Sequence, residues 1–170
     1  QGMLSVRPSF TLPVLLSRYL DCDMLNMGVG GEIFGTDYLV KIPREPDIIT
    51  LALGCNDWTV IKNLESFKET IRKFVDKLAA LYRCRNIHGI VPIWRSDDKE
   101  NKNSQGISFE QVRSAITEVY GEYSYINIID GYQLTPHIGE FFGDGGDLKA
   151  HPNEEGFLYY ALNLVKHMTK

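Results

Sequence analysis

Cysteine is scarce. Cys22, Cys55 and Cys84 are the three in the chain, odd in number and far apart. That excludes a disulfide framework and the paired spacing of a structural zinc site, and free thiols are the simplest reading. Positive charge is not in excess either. Eighteen Lys and Arg stand against 22 Asp and Glu, a net charge of −4, which argues against nucleic acid or an anionic membrane surface as the main partner. No apolar run approaches the ~20 residues of a membrane span. No secretory leader pattern, internal repeat or low-complexity segment is visible. What remains is an ordinary globular composition, 44% hydrophobic and 24% charged, enough for a single domain over residues 1–170 with a real core.

Strand and helix patterns alternate along the chain. Ser9–Leu20 reads as a helix, with Thr11 as a cap and Pro13 in the first turn. Asp23–Val29 is a short strand candidate followed by Gly30 and Gly31. Ile33–Ile42 is ambiguous. Asp47–Leu53 is β-branched and apolar almost throughout, as expected of a strand covered on both faces, and it runs into Gly54-Cys55-Asn56-Asp57. Phe67, Ile71, Phe74, Val75, Leu78, Leu81 and Tyr82 recur at helical spacing. Ile87–Trp94 is another apolar strand, and the polar stretch Arg95–Gly106 leaves it. Ser108 and Gln111 match a capping box and open a helix. Tyr125–Asp130 is a further strand. A long loop from Gly131 to His151 leads to a last helix, with Asn153 as its cap and Glu154 and Glu155 in its first turn. Such alternation means a parallel sheet with helices on both faces, whose sites form in loops after the carboxyl ends of the strands.

Three stretches fall in such loops. In G-D-G-G-D-L-K-A-H, Asp144 and Asp147 precede His151. A carboxylate there can hold Nδ1–H and leave Nε2 free as a general base; the competing reading is a polar turn ahead of a helix. Asn56 follows a buried strand directly, so its amide can point at a developing oxyanion; Asn is also a favoured turn residue. Gly28, Gly30 and Gly31 can offer bare backbone N–H groups, but their spacing is not the dinucleotide fingerprint. Trp94 and Arg95 are candidates to touch a substrate, a solvated surface loop being the competing reading, and Tyr132, Phe141 and Phe142 to line an apolar wall or the core.

N-M-G-V-G-G-E, then G-C-N-D, then D-x-x-x-H-P-N-E-E-G-F resembles, in order and spacing, the second, third and fifth sequence blocks of the SGNH hydrolases, or GDSL esterases and lipases. The resemblance covers essentially the whole chain. It implies a three-layer α/β/α sandwich around a parallel, flavodoxin-like sheet. It implies His151 as catalytic histidine, Asn56 as oxyanion-hole asparagine, Gly31 as the glycine donating its backbone N–H, and Asp147 as the nearest match to the triad acid. The implied activity is hydrolysis, or transfer, of small or carbohydrate-borne acyl esters, with no metal, no organic cofactor, no nucleic-acid partner and no membrane span.

The sequence departs from the pattern twice. The family acid stands three residues before the histidine; here that position is Leu148, Asp147 stands four before, and Asp144 is the reserve. The block carrying the nucleophile serine is not found. Gln1-Gly2 matches the end of a first block G-x-S-I-T-Q-G, which places the serine upstream of Gln1 and makes Ser5 and Ser9 poor substitutes. The expected strand order points the same way. In the order 2-1-3-4-5 the first strand lies between the second and third, and its absence would leave Asp23–Val29 and Asp47–Leu53 each with an unpaired edge. Unpaired buried backbone groups cost about 1–3 kcal/mol each, so an N-terminally incomplete domain is expected. Two other classes compete: a binding module on the same fold, and metal-dependent chemistry through Asp144, Asp147, His137 and His151. The loop is too short for a calcium loop of the helix–loop–helix kind, and the histidine spacing fits no zinc motif.

Overall fold

Helix caps are local features, and they set the helices where the sequence places them. In the computed structural model, which describes residues 5–97, 101–146 and 148–169, Asn63 accepts from Ser66 N and starts α3, Leu64–Leu81. Ser108 and Gln111 form the full reciprocal box that opens α4, Phe109–Gly121. Asn153 accepts from Gly156 N and opens α5, Glu154–Met168. Each cap satisfies an N–H that has no partner inside its own helix, worth about 1 kcal/mol. The N-terminal helix is split. A 3-10 turn at Pro8–Phe10 precedes α1, Leu12–Leu20, with proline in the first turn of each. A four-residue helix absent from the sequence reading, α2 at Asp57–Val60, follows Asn56.

The described strands are β1, Ile49–Leu51, β2, Ile87–Val91, and β3, Ile126–Asp130, in sheet order β1-β2-β3, with β1 and β2 parallel. Central β2 is buried at every position, as a strand paired on both sides should be. β1 is not the doubly covered strand expected of Asp47–Leu53. Thr50 is exposed, Ile48 is 38% exposed, and the ladder takes in three residues. Asp23–Val29 is not a strand: it enters no ladder with any described residue, and Met24, Leu25, Met27 and Val29 are exposed. Lacking β-branched residues before Val29 and carrying Gly28, it has little reason to hold strand geometry by itself.

The chain resolves into two compact units. One comprises Gly31–Pro92 and Lys99–Ile129. Its core joins α3 and α4 to the sheet through Phe74, Val75, Leu78, Ile87, Val91, Val112, Ile116 and Tyr120, with Phe34 reaching in from the irregular segment 33–42. Phe34 meets Phe67, Phe74 and Tyr120 edge to face. The other comprises Gln1–Gly30, Ile93–Asp98 and Asp130–Lys170. There α1 packs on α5, burying Leu12, Leu15, Leu16, Phe157, Tyr160, Ala161 and Leu164. Arg7 donates through its backbone N and its guanidinium to Glu154, in the first turn of α5. None of the described helices is long and apolar enough to cross a membrane.

Candidate active site

His151 lies in a loop that closes on itself. Phe142 and Pro152 form an antiparallel bridge, Gly143 N donates to His151 O at 2.9 Å, and Asn153 N donates to Phe141 O at 3.0 Å. This return brings Asp144 against the histidine. Its Oδ1 lies 2.6 Å from His151 Nδ1, and its Oδ2 accepts from Ala150 N at 2.7 Å and His151 N at 2.6 Å. Burial pushes the Asp144 carboxyl up, but the hydrogen bonds from the His151 backbone, the His151 ring and Ala150 outweigh it, and its pKa lies below the usual value. An ionised Asp144 can only accept, so Nδ1 carries a proton, and in the neutral ring Nε2 is the nitrogen with a free lone pair. The imidazole is half exposed while the Asp144 side chain is 14% exposed, the arrangement of a fixed carboxylate behind a reachable ring.

Asp144 therefore holds the Nδ1 position for which the sequence reading preferred Asp147. Asp147 lies outside the described residues. The preference rested on reach along the chain, whereas the antiparallel closure makes seven residues a short distance in space.

The same loop is clipped to the segment after β2. Ser96 N donates to Lys149 O, and Lys149 N donates to Ser96 Oγ, each at 2.9 Å. Trp94 stacks on His137 at 5.6 Å between ring centres and meets Phe142 edge-on at 5.1 Å. His137 also packs on Tyr132 and lies 2.9 Å through Nε2 from the Tyr132 carbonyl oxygen, so its ring is committed to this aromatic cluster. Arg95 is buried and paired with Asp97, which takes it away from the substrate-contact role considered for it. Phe142 is buried and Phe141 packs on Tyr159. Among the described residues no group of three or more His, Cys, Asp or Glu is placed to hold a metal ion.

Asn56 and Gly31 lie in the other unit, in two separate turns joined by a side-chain hydrogen bond. Asn56 Nδ2 donates to Glu32 O at 2.9 Å, one residue from Gly31. That uses one of its two amide hydrogens; the second has no partner among the described residues. Gly31 takes a left-handed φ of 82°, with no atom within 4 Å of where a Cβ would stand. Gly54, two residues before Asn56, has φ 105° and a full surround: a Cβ would collide with Ile116 Cδ1 and lie 3.1 Å from Pro92 Cγ. Gly54→Ala is expected to cost about 2–4 kcal/mol, from left-handed strain and overpacking together, read as a lowered urea midpoint.

Sequence reasoning passed over Asp57, although it stands beside Asn56 in G-C-N-D. Asp57 is 2% exposed; Oδ1 accepts from Phe34 N at 3.0 Å, and Oδ2 has no hydrogen-bond partner among the described residues. Burial pushes its carboxyl up to about 6, against the opposing pull of the Phe34, Asp57 and Gly54 amides, and Glu32 adds to the rise. A folded-state pKa above the unfolded one makes the folded chain the tighter proton binder. The contribution of Asp57 to stability therefore falls as pH rises from the ordinary carboxylate range to about 6, and is level above it. Asp57→Asn should lack this slope, so the difference in urea midpoint between the two proteins should change across that window and nowhere above it.

No family model matches the chain, and no curated protein matches it. Solved structures do. A salicylyl-acyltransferase, SsfX3, from a tetracycline biosynthetic pathway superimposes with a TM-score of 0.78 at 17% identity, over 99% of this chain and 51% of that one. A member of the lipolytic protein G-D-S-L family from Veillonella parvula gives 0.68 at 17% identity, over 97% of this chain and 91% of that one. A family two carbohydrate esterase from Cellvibrio japonicus gives 0.65 at 18% identity, over 95% of this chain and 52% of that one. The chain thus has an α/β fold shared with G-D-S-L lipases and carbohydrate esterases, the fold that the sequence blocks imply. It spans about half the length of the acyltransferase and of the carbohydrate esterase.

Proposed function

We propose that the protein is a serine esterase of the SGNH type, acting on small or carbohydrate-borne acyl esters. His151 is the general base, Asp144 orients it, and Asn56 Nδ2 with the Gly31 N–H receives the oxyanion. The nucleophile serine stands upstream of Gln1, where the first sequence block would fall. The observation that carries this reading is the 2.6 Å contact of Asp144 Oδ1 with His151 Nδ1. It is supported by the shared fold and by the Asn56–Glu32 link beside Gly31.

The chemistry then runs in two halves. The serine Oγ attacks the ester carbonyl as its proton passes to His151 Nε2, and the carbonyl electrons move to an oxygen held by Asn56 and Gly31. Collapse breaks the bond to the alcohol, which leaves with the proton from Nε2, and an acyl-serine remains. Water, deprotonated by Nε2, attacks the acyl carbon; the bond to the serine Oγ breaks, Oγ takes the proton back from Nε2, and the acid is released. The second reading, acyl transfer, replaces that water with an acceptor alcohol; the salicylyl-acyltransferase among the similar structures favours keeping it.

The test is hydrolysis of short-chain p-nitrophenyl esters and acetylated sugars by the full-length protein, with and without an acceptor alcohol. Turnover by the wild type that a chelator leaves intact supports the esterase. Asn56→Ala is expected to lower kcat by about 10²–10³ with KM little changed, the usual loss for one oxyanion donor. A change confined to KM would make Asn56 a ground-state contact, and a protein without turnover would be a binding module.

A further inference from the structure

Asn56 and Asp57 are neighbours in sequence, and both reach the same three-residue stretch. Asn56 Nδ2 donates to Glu32 O, and Asp57 Oδ1 accepts from Phe34 N. The segment between Gly31 and Phe34 belongs to no regular element, so no ladder or helix holds it. It is pinned at its far end by the Phe34 ring, 2% exposed among Phe67, Phe74 and Tyr120. Gly31 itself is exposed and touches nothing at its Cβ position. The two side-chain contacts are therefore what tie the Gly31 turn to the turn that carries Asn56.

From this geometry we infer that Asp57 is a positioning residue for oxyanion binding: its buried carboxyl group clamps Phe34 N–H and thereby fixes the Gly31 turn against Asn56. The inference rests on the roles proposed above for Asn56 and Gly31. A backbone amide displaced by a fraction of an ångström loses much of its value in the transition state, while ground-state binding barely registers it. Losing the clamp should therefore appear in kcat rather than in KM.

The clamp is also sensitive to pH. The titratable groups facing Asp57 are Glu32, Tyr38 and Tyr120, all acids or phenols. With its carboxyl held near about 6, Asp57 is ionised at neutral pH and protonated in mildly acidic solution. A carboxylate accepts the Phe34 N–H more strongly than a carboxylic acid does, so the clamp tightens above that pH and slackens below it.

Two measurements on the full-length protein test this. The first is turnover of a p-nitrophenyl ester at pH 8, normalised to folded protein. Asp57→Ala is expected to lower kcat about tenfold or more with KM within about threefold, and Asp57→Asn, which keeps the Oδ1 acceptor, to recover most of the loss. The second is the Phe34 amide resonance followed by NMR. In the wild type it should shift with a midpoint near about 6, and in Asp57→Asn that titration should vanish. Equal kcat in Asp57→Ala and wild type, or a Phe34 amide that does not titrate, would overturn the inference. If Asp57→Ala does not fold, the Asn variant and the Phe34 titration still decide it. If the wild type turns over no ester, the proposed function fails by itself, and the amide titration still reports whether the clamp exists.

Discussion

Replacing His151 with alanine in the full-length enzyme is expected to lower kcat by a factor of about 10³ or more while the fold survives. The loss is large because Nε2 is the only acceptor proposed for the serine proton and the only donor to the leaving alcohol. The fold survives because alanine keeps what the backbone contributes. His151 N still donates to Asp144 Oδ2, and His151 O still accepts from Gly143 N. The ring is half exposed, so little burial is lost. Denaturant midpoints should move by the equivalent of about 1 kcal/mol or less. Near-normal turnover in this variant would remove His151 from the mechanism.

Asp144→Asn should be nearly as damaging, for a reason that depends on the count of hydrogen bonds. The carboxylate accepts two backbone amides on Oδ2 and the imidazole on Oδ1. An asparagine has one oxygen for these three donors. If that oxygen stays with the Ala150 and His151 amides, the NH2 group faces Nδ1 and can only donate. The ring must then carry its proton on Nε2, where it cannot accept one from the serine. The expected fall in kcat is about 10³–10⁴, with the loop geometry kept. Asp147→Asn is expected to stay within about threefold of wild type, because Nδ1 has one N–H and Asp144 takes it. The reverse ranking in a kcat assay would return the acid role to Asp147. Because the Asp144 pKa is lowered, its contribution to loop stability is in place at neutral pH and is lost as pH falls through that lowered value.

The parts of this molecule that were legible in its sequence are those decided locally. Ser108 with Gln111, and Asn153, cap the helices they were expected to cap, because a cap needs a partner only a few residues away. The apolar run Ile87–Trp94 was legible as a buried strand, which the fold keeps over Ile87–Val91, because its central place in the sheet demands apolar residues on both faces. Asp47–Leu53 looks much the same in sequence. What distinguishes β1 is its position at the end of the described sheet, and no local pattern carries that. Asp23–Val29 went wrong for the same reason, since a strand exists only with a neighbour. The choice between Asp144 and Asp147 turned on the antiparallel contact of residues 141–143 with 151–153, a tertiary event invisible to counting along the chain. Asp57 was in plain view beside Asn56, but its burial and its grip on Phe34, 23 residues earlier, are properties of the folded chain.

The central claim is that His151, held by Asp144, activates a serine for attack on an ester carbonyl. A serine-directed fluorophosphonate tests it most directly, applied to the full-length protein and followed by mass spectrometry of the digested adduct. The account predicts a single phosphonylated serine upstream of Gln1, formed quickly in the wild type and at least about a hundredfold more slowly in His151→Ala. No adduct on any serine, or an adduct whose rate His151→Ala leaves unchanged, would contradict it.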